Sequence, residues 1–138
     1  MNRTELIERY NATVQAFELD PSQVALSAGG ACVMHGLREE TEDLDIHIPR
    51  SLYNRIRNGA VKRGKIVRLP VRPGQPSEML QYHEWLSIAP LDHAFTTTMI
   101  IGVCVYDVRS LLIQKLQLNR PKDQKDILTL MAKFIDNA

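Results

Sequence analysis

Between Thr4 and about Phe17, the apolar residues Leu6, Ile7, Tyr10, Val14 and Phe17 fall on one helical face, with Thr4 available as N-cap. An amphipathic first helix follows from that spacing. Asp20-Pro21 ends it, Val24 to Ser27 reads as a short strand running into Gly29-Gly30, and Ala31 to about Leu37 as a short helix. Leu44, Ile46 and Ile48 then alternate with Asp43, Asp45 and His47, which predicts a strand with one buried and one polar face, closed by Pro49. Ser51 is expected to cap a helix carrying Leu52, Tyr53, Ile56 and Val61, and Lys65 to Leu69 forms a brief further strand. The stretch PVRPGQPSE, residues 70–78, holds three of the seven prolines and reads as a loop. Met79 to Ile88 and Thr98 to Tyr106 are each expected as a single strand by their apolar and β-branched content. Asp107 can cap a helix from about Val108 to Gln117, and Pro121 to about Ile135 a last one, with Ile127, Leu128, Leu130, Met131 and Phe134 inward.

Strands interleaved with helices predict an α/β (α+β) protein, a mixed sheet flanked by helices. The length of 138 residues fits one domain spanning 1–138. A net charge of +1 excludes a global field that recruits nucleic acid, so any phosphate binding has to come from local Arg and Lys. Cys32 and Cys104 each sit in an apolar run that would bury them, which points to free thiols in a reduced, cytoplasmic protein. No apolar stretch approaches the roughly 18 residues of a membrane span, so no membrane association is expected.

The chemistry concentrates in SAGGACVMHGLREETEDLDIHI, residues 27–48. A strand entering a Gly-Gly turn and a short helix offers backbone N–H groups that a phosphate can approach closely. Asp43 and Asp45 lie two apart on a strand and so project on the same side. Like charges repel there unless a cation sits between them. Such a pair suits Mg²⁺ or Mn²⁺ held against a nucleoside triphosphate.

Ala28-Gly29-Gly30-Ala31, then Gly36, Arg38, Thr41 and Asp43-Leu44-Asp45, resembles the signature of the nucleotidyltransferase fold. The stretch YDVRSLLIQKLQLNRPKDQKDILTL, from residue 106, resembles the helical segment of the abortive-infection toxin branch of that superfamily. The resemblance implies a nucleotidyltransferase-like sheet with C-terminal helices. It also implies Asp43 and Asp45 as catalytic metal ligands, and Gly29, Gly30, Thr41, Lys115 and Lys122 as nucleotide-binding residues. Arg120, Asp123 and Asp126 would lie near the triphosphate or brace the helical wall. Lys115 is expected to be partly exposed and free to meet a phosphate. Active members carry a third carboxylate on a later strand facing the first two, and the candidate here is Glu84. On a continuous strand Glu84 would share a side with Leu80, Tyr82, Leu86 and Ile88, away from the more polar side, unless a bulge turns it.

The four histidines, His35, His47, His83 and His93, have no zinc spacing. His47 shares the strand face of the Asp pair and is expected to be solvent-exposed, with a seat at the rim of the site as the alternative. Arg68 and Arg72 flank the proline-rich loop, where they are solvated or reach a triphosphate or RNA. The leading functional expectation is transfer of a nucleoside monophosphate from an NTP to a hydroxyl of an RNA, protein or small-molecule acceptor. The alternatives are a degenerate fold that binds a nucleotide or protein without catalysis, and an accessory half of a toxin–antitoxin pair. For the enzyme, a chain this short leaves little room for an acceptor-binding domain, so acceptor choice is expected to depend on a cognate partner protein or on self-association.

Overall fold

The computed structural model describes residues 1–91 and 95–136, so His93 lies outside the described residues. Helix α1 (Arg3–Ala16) starts two residues earlier than Thr4 would set it. Asn2 accepts from the Glu5 N–H and the Glu5 side chain returns to the Asn2 N–H, a reciprocal cap that outcompetes Thr4. Leu6, Tyr10 and Val14 are buried along its inner face, and the Tyr10 hydroxyl donates to the Val24 carbonyl at 2.7 Å. That bond fixes α1 against the start of β1 (Ala25–Leu26).

Helix α2 (Ala28–Met34) follows, then β2 (Leu44–Ile48), α3 (Arg50–Lys62) and β3 (Ile66–Arg68). Pro49, not Ser51, occupies the N-cap position of α3, one residue ahead of the helix it pre-shapes. The remaining elements are β4 (Met79–His83), β5 (Leu86–Pro90), β6 (Thr97–Ile100), β7 (Val103–Tyr106), α4 (Val108–Leu118) and α5 (Gln124–Asp136). Asp107 caps α4 as its sequence suggests, accepting from the Ser110 N–H at 2.8 Å. A single 3-10 turn, Pro121–Asp123, leads into α5.

The strands form one mixed sheet in the order β3-β4-β5-β2-β1-β7-β6. β2 runs parallel to β5 and β1 parallel to β7, and the other neighbours are antiparallel. Two stretches that read as single strands are hairpins. Met79 to Ile88 folds back at Glu84-Trp85, and Thr98 to Tyr106 folds back at Ile101-Gly102. Ile101 and Gly102 both have positive φ (48° and 74°), the conformation that a two-residue hairpin turn needs. A β-branched residue at such a position carries no turn signal in the sequence.

Leu44, Ile46 and Ile48 fill the core beside Leu26, Leu80, Ile88 and Val105, and Cys32 and Cys104 are buried there as free thiols. On α5, Ile127 and Leu130 point inward, but Leu128 (70% exposed), Met131 and Phe134 do not. That helix packs along α4 by one narrow edge, too narrow to cover its whole apolar arc. Among the described residues no helix is long and apolar enough to cross a membrane.

Candidate functional site

A large cleft of about 1610 Å³ opens where α2, β2, the β3–β4 connection and the end of α4 meet. Its floor is the Asp43 and Asp45 end of β2. Asp45 is partly buried, and its carboxyl is pushed up to about 6. Burial is the larger cause and the Asp43 charge the second, opposed by Lys115, a hydrogen bond from Ser87, and Lys122. The pair is therefore short of positive charge. Two adjacent carboxylates of this kind fit a hard divalent cation whose other oxygen ligands come from phosphates and water. Among the described residues no third His, Cys, Asp or Glu completes a metal cage.

The parallel register sets the neighbour of the pair: Asp45 stands beside Ser87 of β5, so that position carries a hydroxyl and not a further acid. Glu84 lies on the β4–β5 turn, exposed at the lip of the cleft. The register does shift between Gln81 and His83, yet the hairpin, not that bulge, decides where Glu84 stands. Parity along one continuous strand does not apply to it.

Gly29 and Gly30 belong to the first turn of α2, not to a turn ahead of it. Ala28, which opens that helix at the cleft wall, takes the left-handed conformation (φ 53°), a strained one for a residue with a Cβ. A Cβ on Gly29 would stand 2.6 Å from the Arg38 guanidinium and 2.7 Å from the Thr41 hydroxyl oxygen. Gly29 thus lets the 36–43 loop close over α2. That loop is also clipped to the chain start: the Met1 amino group donates to the Thr41 carbonyl at 2.7 Å, and the Thr41 N–H donates back to Met1 at 2.9 Å. Arg38 can swing aside but the buried Thr41 cannot, so Gly29→Ala is expected to lose about 1 to 2 kcal/mol in urea unfolding. An unchanged midpoint would show that the loop yields freely.

Lys115 is buried, not exposed. Its ammonium lies 3.2 Å from Asp123 and 3.3 Å from Asp126, and Asp126 also faces Arg38 at 3.8 Å. Asp123 accepts in addition from the Arg120 N–H and guanidinium. Lys115 reaches the Asp pair through its field while its donors serve the α4–α5 junction. Lys122, Lys125 and Arg38 remain exposed along the cleft, with Arg68 on the opposite wall.

His47 is likewise buried, against the expectation of exposure. One ring nitrogen faces the Tyr106 hydroxyl and the other lies 3.2 Å from the Ser27 Oγ. The antiparallel pairing of β1 with β2 covers it, and single-strand periodicity carries no sign of that. Two further cleft residues, Ser87 and Gln114, escaped sequence reading. Ser87 becomes visible only once LSIAP is aligned with LDIHI, and Gln114 only as a polar member of the inward α4 set Leu111, Gln114, Lys115 and Leu118.

No family model and no curated protein matches the sequence. Solved structures do match the fold. The solution structure of the antibiotic-resistance factor ANT(2'')-Ia has a TM-score of 0.61 at 14% identity, covering 100% of this chain and 86% of that one. A crystal structure of ANT(2'')-Ia in complex with adenylyl-2''-tobramycin has a TM-score of 0.59 at 12% identity, covering 94% and 88%. The chain has a nucleotidyltransferase-like fold.

Proposed function

We propose that this protein binds a magnesium nucleoside triphosphate in the cleft and transfers its nucleoside monophosphate to a hydroxyl group. The observation that carries the reading is Asp43 and Asp45 together on the cleft floor, with Asp45 raised by burial and by the Asp43 charge, and with Lys122, Lys125 and Arg38 along the wall. Asp43 and Asp45 would hold Mg²⁺ or Mn²⁺, which when bound screens the phosphate charge and draws electrons from the phosphorus. Gly29 and Thr41 frame the start of α2 beside the phosphates, with Gly30 behind them against Leu26, while Lys122 neutralises the phosphates directly and Lys115 does so from beneath. In the transfer, the acceptor oxygen bonds to the α-phosphorus while the bond from that phosphorus to the bridging oxygen breaks. Pyrophosphate leaves with the electron pair, and Glu84 at the lip takes the acceptor proton.

A small-molecule hydroxyl is the acceptor we favour over RNA or protein, because the neighbour of like fold is bound to an adenylylated small molecule. The relation to the abortive-infection branch rests on the residues from 106 onward, and with it any toxin role or cognate partner. A second reading, nucleotide binding without transfer, is favoured by Ser87 standing where a third acid would face the pair.

Thermal shift with each NTP plus Mg²⁺ tests the binding. With ligand at ten or more times its Kd, a rise of about 5 °C is expected, and it should vanish with EDTA. No rise at millimolar nucleotide removes the reading. Labelled transfer that Glu84→Gln abolishes, with the thermal shift kept, supports the enzyme. A shift with no transfer to any class of acceptor leaves the second reading.

A further inference from the structure

Gln114 sits on α4 one residue before Lys115, with its side chain lining the cleft and only 5% of the residue exposed. Its carbonyl oxygen is out of solvent reach and finds no hydrogen-bond partner among the described residues, so a donor in the cleft meets it once the side-chain amide turns toward the opening. A buried acceptor left unpaired costs about 1 to 3 kcal/mol, so its persistence in a cleft wall points to a donor that arrives with the occupant. One turn further along α4, Gly74 of the proline-rich connection seats against Gln117 and Leu118, so tightly that a Cβ would lie 3.0 Å from the Leu118 backbone nitrogen. Leu118, Leu69, Val71 and Met79 line the cleft on that side. An apolar wall with one orphan acceptor suits a flat, largely apolar group that carries a single buried N–H or O–H.

We infer that Gln114 is a specificity-determining residue whose side-chain oxygen accepts a hydrogen bond from the nucleoside part of the bound nucleotide. The inference rests on the NTP reading above. A ribose hydroxyl and an exocyclic amine of the base share this donor chemistry. Loss of the matching donor from the ligand leaves Gln114 unpaired again and weakens binding, whereas an apolar residue at 114 is indifferent to it.

Calorimetric titration of the wild type with the magnesium complexes of ATP, 2'-deoxyATP, 3'-deoxyATP and ITP, each repeated on Gln114→Met, tests this. In the wild type one of the three altered nucleotides is expected to bind at least tenfold more weakly than ATP, identifying the donor as a ribose hydroxyl or the 6-amino group. Gln114→Met should bring that ratio within about twofold and raise the melting temperature of the free protein, since methionine fills the site without an orphan acceptor. Equal binding of all four nucleotides by the wild type overturns the inference while leaving the NTP reading intact. So does a discrimination that persists unchanged in Gln114→Met. Failure of all four to bind, with no melting shift from any other NTP, overturns the reading and the inference together.

Discussion

Asp45→Asn is expected to raise the melting temperature of the metal-free protein at pH 7.5 by about 6 °C, an unusual gain for a substitution on a cleft floor. The carboxyl of Asp45 is raised from 3.8 to about 6, first by burial and then by Asp43. For an acid, a folded-state value above the unfolded one means that the native protein binds the extra proton. Stability therefore falls as pH rises through the window between about 4 and 6. Two units amount to about 3 kcal/mol, which partial exposure trims to about 2. The amide carries no charge, so its advantage should be full above pH 6 and gone near pH 4. The same variant should lose the magnesium-dependent shift with NTP. A metal-free Asp45→Asn protein that melts below wild type would mean that the carboxylate makes a structural bond, and the argument from charge repulsion would fail.

The carboxylate pair was legible because strand periodicity is local: three alternating apolar residues suffice to put Asp43 and Asp45 on one side. The hairpins were not. Glu84-Trp85 and Ile101-Gly102 lack the Asn-Gly or Asp-Gly turn chemistry that marks a two-residue loop, so each hairpin read as one long strand. The parity argument about Glu84 fell with them, since parity has no meaning across a turn. His47 and Lys115 failed for a different reason. Both are polar residues whose burial depends on partners far along the chain or on another helix: Tyr106 for His47, Asp123 and Asp126 for Lys115. The residues from Arg120 to Asp126 have the local pattern of an exposed helix start with paired charges, Pro121 in the first turn and Lys122/Asp126 four apart. Their pairing is real, but it is directed inward.

Asp123→Asn should be the most damaging of these substitutions to stability, with an expected loss of about 3 to 4 kcal/mol and a fall in melting temperature of more than about 10 °C. Asp123 is 1% exposed, and its two oxygens meet Lys115 at 3.2 Å and Arg120 at 2.7, 3.0 and 3.0 Å. Burial alone would raise its carboxyl, but the Arg120 side chain and N–H, with Lys115, hold it down to about 2. An acid lowered in this way contributes stability above its unfolded value near 3.8, and that contribution is lost as pH falls toward 2. The amide keeps the shape and removes the charge, which leaves Lys115 in the interior with Asp126 as its counter-charge and Arg120 without its carboxylate. Wild type should consequently lose its advantage over Asp123→Asn between about pH 4 and pH 2. Urea unfolding at pH 7 and pH 2.5 measures both points. A loss under about 1 kcal/mol at pH 7, the size typical of a solvent-exposed ion pair, would mean that water reaches the cluster and that Lys115 is not held as a buried charge beneath the cleft.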